Sequence, residues 1–167
     1  MTFSGYSLDI GGNPTFKYRV TPDGGQSTLL VAETPQPAKV TLANGIVRKF
    51  AVEMLAGKTV WFRAGGSTKE PRIYDGGGKK LNPLENADGE VPTLGTTVVL
   101  PEDGDRATVL MLDDAAVGTV WRISKRAGGG YDTIIRFVEP KEKTKVEFAL
   151  KAWSLPRDDE KLIRELK

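Results

Sequence analysis

The chain has 167 residues, with 24 Lys+Arg against 22 Asp+Glu, and it contains neither His nor Cys. One domain built on one core is the expectation at this length. The missing residue types exclude a Ser-His-Asp triad, a Cys nucleophile, imidazole or thiolate zinc sites, covalent c-type haem attachment and disulfides, leaving carboxylates, Lys, Arg, Tyr, Ser and Thr as the available chemistry.

Met1-Thr2-Phe3-Ser4-Gly5-Tyr6 enters patterned sequence at once, without the basic and apolar regions of a signal peptide, so none is expected. Period-two alternation then dominates. Tyr6, Leu8 and Ile10 alternate, Gly11-Gly12-Asn13-Pro14 turns the chain, and Phe16, Tyr18 and Val20 alternate again, which predicts a hairpin. Strands are predicted over Thr28–Glu33, Lys39–Leu42, Ile46–Leu55, Thr59–Ala64 and Arg72–Tyr74. Asn44-Gly45 is the sequence expected of a type I′ turn between two of them. Asp75 to Pro92 reads as the longest loop. Strands resume over Thr96–Leu100, Ala107–Leu112, Thr119–Ser124, Thr133–Val138 and Lys145–Trp153, at the spacing of a sandwich or barrel. From Pro156 to Lys167 a Pro and three carboxylates precede Lys161, Arg164 and Lys167, the charge order that favours a short helix. Its apolar stripe is Leu162, Ile163 and Leu166, and so short a helix needs something to dock on, its own sheet or a partner.

The expected fold is therefore all-β: a two-sheet antiparallel sandwich of about ten to twelve short strands over 1–155, with 156–167 as a C-terminal helix, docking element or linker. No apolar run approaches the roughly 20 residues of a membrane span. Residues 1–83 carry 11 basic and 6 acidic side chains and residues 84–167 carry 13 and 16, so the halves are +5 and −3. Such scattered charge lacks the footprint of a nucleic-acid binder, and no nucleic-acid partner is expected. Zero Cys fits a reducing cytoplasm and equally a well-cored exported domain, so compartment stays open.

Candidate chemistry is sparse. Gly76-Gly77-Gly78-Lys79-Lys80 and Gly128-Gly129-Gly130 do not lead into helices, as a phosphate-binding loop must, and read as turns. An EF-hand register on Asp88-Gly89 puts Leu84 and Gly95 at ligand positions, so no metal is expected; no cofactor is expected either. Asp9, Glu53, Asp113, Asp114 and Glu147 lie in or beside strands, and a converging pair could hydrolyse glycosides without His. Aromatic residues interleaved with Arg are the better binding candidates, because indole faces stack on sugars and guanidinium groups supply hydrogen bonds. Trp61 and Arg63 share one strand face, and Trp121 occupies the same place in an internal echo, Thr59-Val60-Trp61 against Thr119-Val120-Trp121.

Gly5-Tyr6-Ser7-Leu8-Asp9, then Pro14-Thr15-Phe16-Lys17-Tyr18, then Trp61-Phe62-Arg63, in that order, resemble an accessory β-sandwich domain of large exported bacterial multidomain proteins that also carry c-type cytochrome and quinoprotein dehydrogenase-like domains. The resemblance covers roughly residues 3–75. Its motifs are packing motifs without cofactor ligands, so any redox chemistry would belong to neighbouring domains, and the compartment it implies is periplasmic or extracellular. The expected function is a non-catalytic structural or interaction domain whose partners are neighbouring domains or another protein. Two alternatives stand beside it: a carbohydrate-binding module presenting Trp61, Arg63 or Trp121, and a carboxylate-only glycoside hydrolase.

Overall fold

A computed structural model describes residues 1–21, 29–40, 43–82, 89–113, 119–137, 139–159, 161 and 163. The described chain is all-β. Its strands are β1 (Thr2–Leu8), β2 (Pro14–Val20), β3 (Leu29–Val40), β4 (Ala43–Met54), β5 (Trp61–Ser67), β6 (Arg72–Tyr74), β7 (Lys80–Leu81), β8 (Glu90–Pro92), β9 (Thr97–Pro101), β10 (Arg106–Asp113), β11 (Val120–Lys125), β12 (Tyr131–Arg136) and β13 (Thr144–Pro156). They form two antiparallel sheets. One has nine strands in the order β1-β2-β3-β4-β13-β10-β9-β6-β7, and the other has four in the order β5-β12-β11-β8.

The sheets meet across one core. Phe50, Val52, Leu110, Leu112, Phe148 and Leu150 of the large sheet pack with Trp121, Ile123 and Ile135 of the small one. Four aromatic rings pin the contact: Phe148 stacks on Phe50 at 4.9 Å, Phe62 meets Phe50 edge-on at 4.9 Å, and Phe137 tilts against Phe148 at 4.9 Å. A second apolar cluster, Tyr74, Val99, Val109, Trp153, Leu155 and Ile163 among its members, covers part of the opposite face of the large sheet. Gly45 lies beneath that Trp153, where any β-carbon would meet the carbonyl of Ala152 at 2.6 Å and collide with the indole.

Three sequence expectations need correction. The two runs around Thr28–Glu33 and Lys39–Leu42 are one strand, β3, which passes through Pro35 and Pro37. Strand β2 pairs with β3 only as far as Glu33, so both prolines lie where one edge is open and a missing N–H is tolerated. No turn lies at Asn44-Gly45: Asn44 and Gly45 pair with Lys39 and Ala38 inside the ladder, which runs on to the pair Val40–Ala43, and positions 41–42 lie outside the described residues. The stretch from Asp75 to Pro92 holds two short strands, β7 and β8, around residues 83–88, which lie outside the described ones.

At the C-terminus β13 runs on to Pro156, so the predicted helix loses its first residue to the sheet. Beyond it no helical element forms among the described residues, although Lys161 and Ile163 have helical backbone and the Ile163 N–H donates to the Asp159 carbonyl at 3.1 Å.

The two sheets differ in width, and that difference shapes the surface. Cross-strand neighbours share a face, and one row runs Phe3, Tyr18, Val31, Val52, Val146 across five strands. Val52 is in the core, whereas Phe3 at the row's other end is 55% exposed. The core-facing side of the large sheet therefore continues past the small sheet onto a wing made of β1, β2 and the adjoining part of β3. A bulge keeps the wing's face apolar: Ser4 is the extra residue between the pairs Phe3–Tyr18 and Gly5–Lys17, which returns Tyr6 and Leu8 to the face of Phe3. Gly5 takes φ +126° there, a conformation that L side chains rarely adopt.

Phe148→Ala should lower the free energy of unfolding in urea by about 3–5 kcal/mol, the cost of emptying a well-packed aromatic site. Phe3→Ala, on the same sheet face but beyond the small sheet, should cost less than about 1 kcal/mol. Equal losses would mean that the wing is part of the core.

Candidate functional site

The outer face of the small sheet gathers aromatic and basic groups. Alternation in β5 turns Phe62 inward and leaves Trp61 and Arg63 outward, with Trp61 46% exposed. In register, Trp61 is opposite Arg136 on β12, and Arg63 is opposite Ile134, which is opposite Arg122 on β11. The guanidinium carbons of Arg122 and Arg136 lie 5.2 Å and 5.9 Å from the centre of the Trp61 ring, within cation–π range. Arg136 donates from Nε and Nη2 to the two carboxylate oxygens of Glu90, each at 2.7 Å. Arg63 donates to Asp132 at 2.8 Å, and Arg126 stands 3.9 Å from the same carboxylate oxygen. The Arg122 guanidinium rests on the indole, and Arg122 is opposite Glu90 in the β11–β8 ladder, where its charge acts on that carboxylate.

Hydrogen bonds from Arg136 hold the Glu90 carboxyl below its ordinary value of 4.5; partial burial opposes this, and the charges of Arg136 and Arg122 add to it. Glu90 thus stays ionised and fixes the Arg136 fork in the plane of a carboxylate.

Trp121 corrects the sequence expectation. It is fully buried, pointing from β11 into the core, and cannot present a platform to a ligand. The echo of Thr-Val-Trp therefore breaks in orientation, and the residue two places on carries the signal: Arg63 follows Trp61 on an outward face, whereas Ile123 follows Trp121 on an inward one. Arg122, Arg136 and Glu90 were not singled out by sequence reasoning, because register rather than chain proximity brings them to Trp61.

Of the C-terminal docking candidates, Leu162 and Leu166 lie outside the described residues. Ile163 is 3% exposed and packs in the second cluster with Trp153 and Leu155, so the chain's own sheet covers it. The segment is tied down nearby, where the Arg157 N–H donates to the Asp105 carbonyl at 2.7 Å and its guanidinium to the Gly104 carbonyl at 2.8 Å.

Of the candidate carboxylates, Asp9 lies apart at the β1–β2 turn, whereas Glu53, Glu147 and Asp113 share the outer face of β4, β13 and β10, each beside a Lys. Asp9 closes the β1–β2 turn by accepting from the Asn13 amide side chain and backbone, which lowers its pKa. Glu53 pairs with Lys143 at 2.9 Å, Asp113 pairs with Lys151, and Glu147 pairs with Lys145, whose hydrogen bond and charge lower its pKa. Lowered values are the opposite of what a general acid requires. Asp114 lies outside the described residues.

The wing offers a second surface that the sequence did not mark as exposed. Tyr6 is 64% exposed and Leu8 60%, beside Phe3. Between the wing and the start of β5 lies a groove of about 360 Å³, lined among others by Tyr18, Val31, Phe50, Trp61, Phe62 and Phe137. An ion pair, Arg48 Nε to Glu33 at 2.7 Å, stands within it, with Arg48 also 5.0 Å from the Phe50 ring centre. Among the described residues no helix is long and apolar enough to cross a membrane. No protein-family model, curated protein or solved structure matches the chain.

Because the folded-state pKa of Glu90 is depressed, its contribution to stability is present above the unfolded value of 4.5 and is lost as pH falls through the lower folded one. Glu90→Gln should therefore be less stable than the parent in urea at neutral pH, with the gap closing as the pH falls below 4.5 and through the lower folded-state value. A gap independent of pH would remove the charge of Glu90 from the account.

Proposed function

We propose that this chain is a non-catalytic interaction module, a β-sandwich that docks through its β1–β2 wing onto an apolar protein surface of a neighbouring domain or another protein. One observation carries the reading: the core-facing side of the large sheet extends beyond the small sheet and leaves Phe3, Tyr6 and Leu8 in water. Apolar area of this kind, contiguous and placed on a regular strand face, marks an interaction site more often than scattered single residues do. The chemistry of the occupant follows from β1 itself. Thr2–Leu8 carries no charged side chain, so an uncharged apolar surface can cover it without stripping water from an ion.

The residues of the family resemblance support the same reading. Tyr6, Leu8, Phe16 and Tyr18, which the motifs share, all lie on this wing face. Packing motifs on a face left open by the described residues fit an accessory domain of a larger exported redox-type protein, where the neighbouring domain supplies the missing layer. Ile163 packs on the chain's own outer face, so the docking role is assigned here to the wing, while Leu162 and Leu166 lie outside the described residues.

A photo-crosslinking residue at Tyr6, in the protein as it is made in its own cell, should give one discrete protein adduct that disappears with Leu8→Asp. The same group at Ser7, on the opposite face of β1, should give none. Equal adducts from both positions, or none from Tyr6, would overturn the reading. Folding of the variants is checked by circular dichroism, and all three positions are exposed.

A further inference from the structure

We propose that the outer face of the small sheet is a binding site for an acidic sugar chain, with Trp61 as the stacking surface and Arg122, Arg63 and Arg136 as its hydrogen-bonding cations. This goes beyond the docking role of the wing and uses a different face of a different sheet.

Shape sets the class of ligand. Strands β12 and β11 are paired on both sides, so the middle of this face offers side chains and no free backbone edge for a peptide to join. Arg63 and Arg122 flank Ile134 from the two neighbouring strands, roughly 10 Å apart, and Trp61 lies roughly 7 Å along β5 from Arg63. That rectangle has the dimensions of a short oligosaccharide. An indole suits the apolar face of a sugar ring, and guanidinium forks suit carboxylate or sulfate groups on its rim.

Charge sets the sign. Among the described residues Arg63, Arg122, Arg126 and Arg136 face two carboxylates, Asp132 and Glu90, which leaves a surplus of positive charge there. The acids hold Arg63 and Arg136 in place, while Arg122 is held by the ring. Preorganised donors lose less side-chain freedom on binding than free ones. Interspersed acids also temper the field, which disfavours the dense phosphates of a nucleic acid.

The test titrates the chain with an oligogalacturonate, a heparin-derived oligosaccharide, a neutral cello-oligosaccharide and single-stranded oligo(dT), following tryptophan emission and, separately, heat of binding. Trp121 and Trp153 are buried, so a ligand-dependent change in emission and in iodide quenching reports Trp61. Binding is expected to the carboxylated or the sulfated oligosaccharide, and which of the two is tighter identifies the acidic group. Arg122→Gln should weaken it roughly tenfold or more, Trp61→Ala should abolish it, and Trp61→Tyr should restore part of it. Tyr6→Ser, on the wing, should leave it unchanged. No binding, equal affinity for the neutral sugar, tighter binding of oligo(dT), or full affinity in Arg122→Gln would each overturn the proposal. Unfolding midpoints of the variants separate lost binding from lost fold.

Discussion

The contact among Phe50, Phe148, Phe62 and Phe137 is where two sheets of unequal width are fastened together, and the rest of the molecule follows from its position. Phe50 and Phe148 are cross-strand partners on β4 and β13, while Phe62 comes from the start of β5 and Phe137 directly follows β12. On one side of these rings the core is closed, with Trp121, Ile135, Val98 and Leu150 essentially without exposure. On the other side the large sheet runs on through β3, β2 and β1 with no layer above it from the described residues. Moving from Val52 to Phe3 along one row takes a side chain from the core to water without any change of strand geometry.

A sheet face that is built apolar but left open costs stability in isolation, because hydrophobic area contributes only when it leaves water. The wing meets part of that cost within itself. Phe3 and Tyr18 pack at 5.9 Å, the Ser4–Gly5 bulge keeps the apolar residues in phase, and the Asp9–Asn13 hydrogen bonds close the hairpin. The bulge also twists the free edge, a device that discourages indiscriminate strand pairing. An apolar face whose register is maintained up to its last strand supports the proposed docking role.

Much of this was legible in the sequence. Period-two runs and Gly, Asn and Pro turns led to an all-β chain with two antiparallel sheets, and the hairpin of Tyr6–Ile10 with Phe16–Val20 is β1 and β2. What alternation cannot give is which side of a strand is covered. Trp61 and Trp121 stand in the same local pattern, yet one is half exposed and the other lies in the core, because β5 and β11 present opposite phases to the large sheet. Strand β3 joins two runs that alternation predicts separately, and it tolerates Pro35 and Pro37 between them because one edge is open there. The cluster of Arg122, Arg136 and Glu90 with Trp61 draws on positions up to 75 residues apart, joined only by sheet register. Local pattern thus identified the strands, while the surfaces depend on how the strands are ordered.

The central claim, that the core-facing side of the large sheet is open over the wing, is tested most directly by hydroxyl-radical footprinting of the purified chain read by mass spectrometry. Phe3, Tyr6 and Leu8 should be oxidised at the rates of exposed side chains of their type, while Phe50, Trp121 and Phe148 should be protected until the protein unfolds. Protection of Tyr6 and Leu8 at the level of Phe148, in monomeric protein, would contradict the account, since it would mean that the chain covers its own wing.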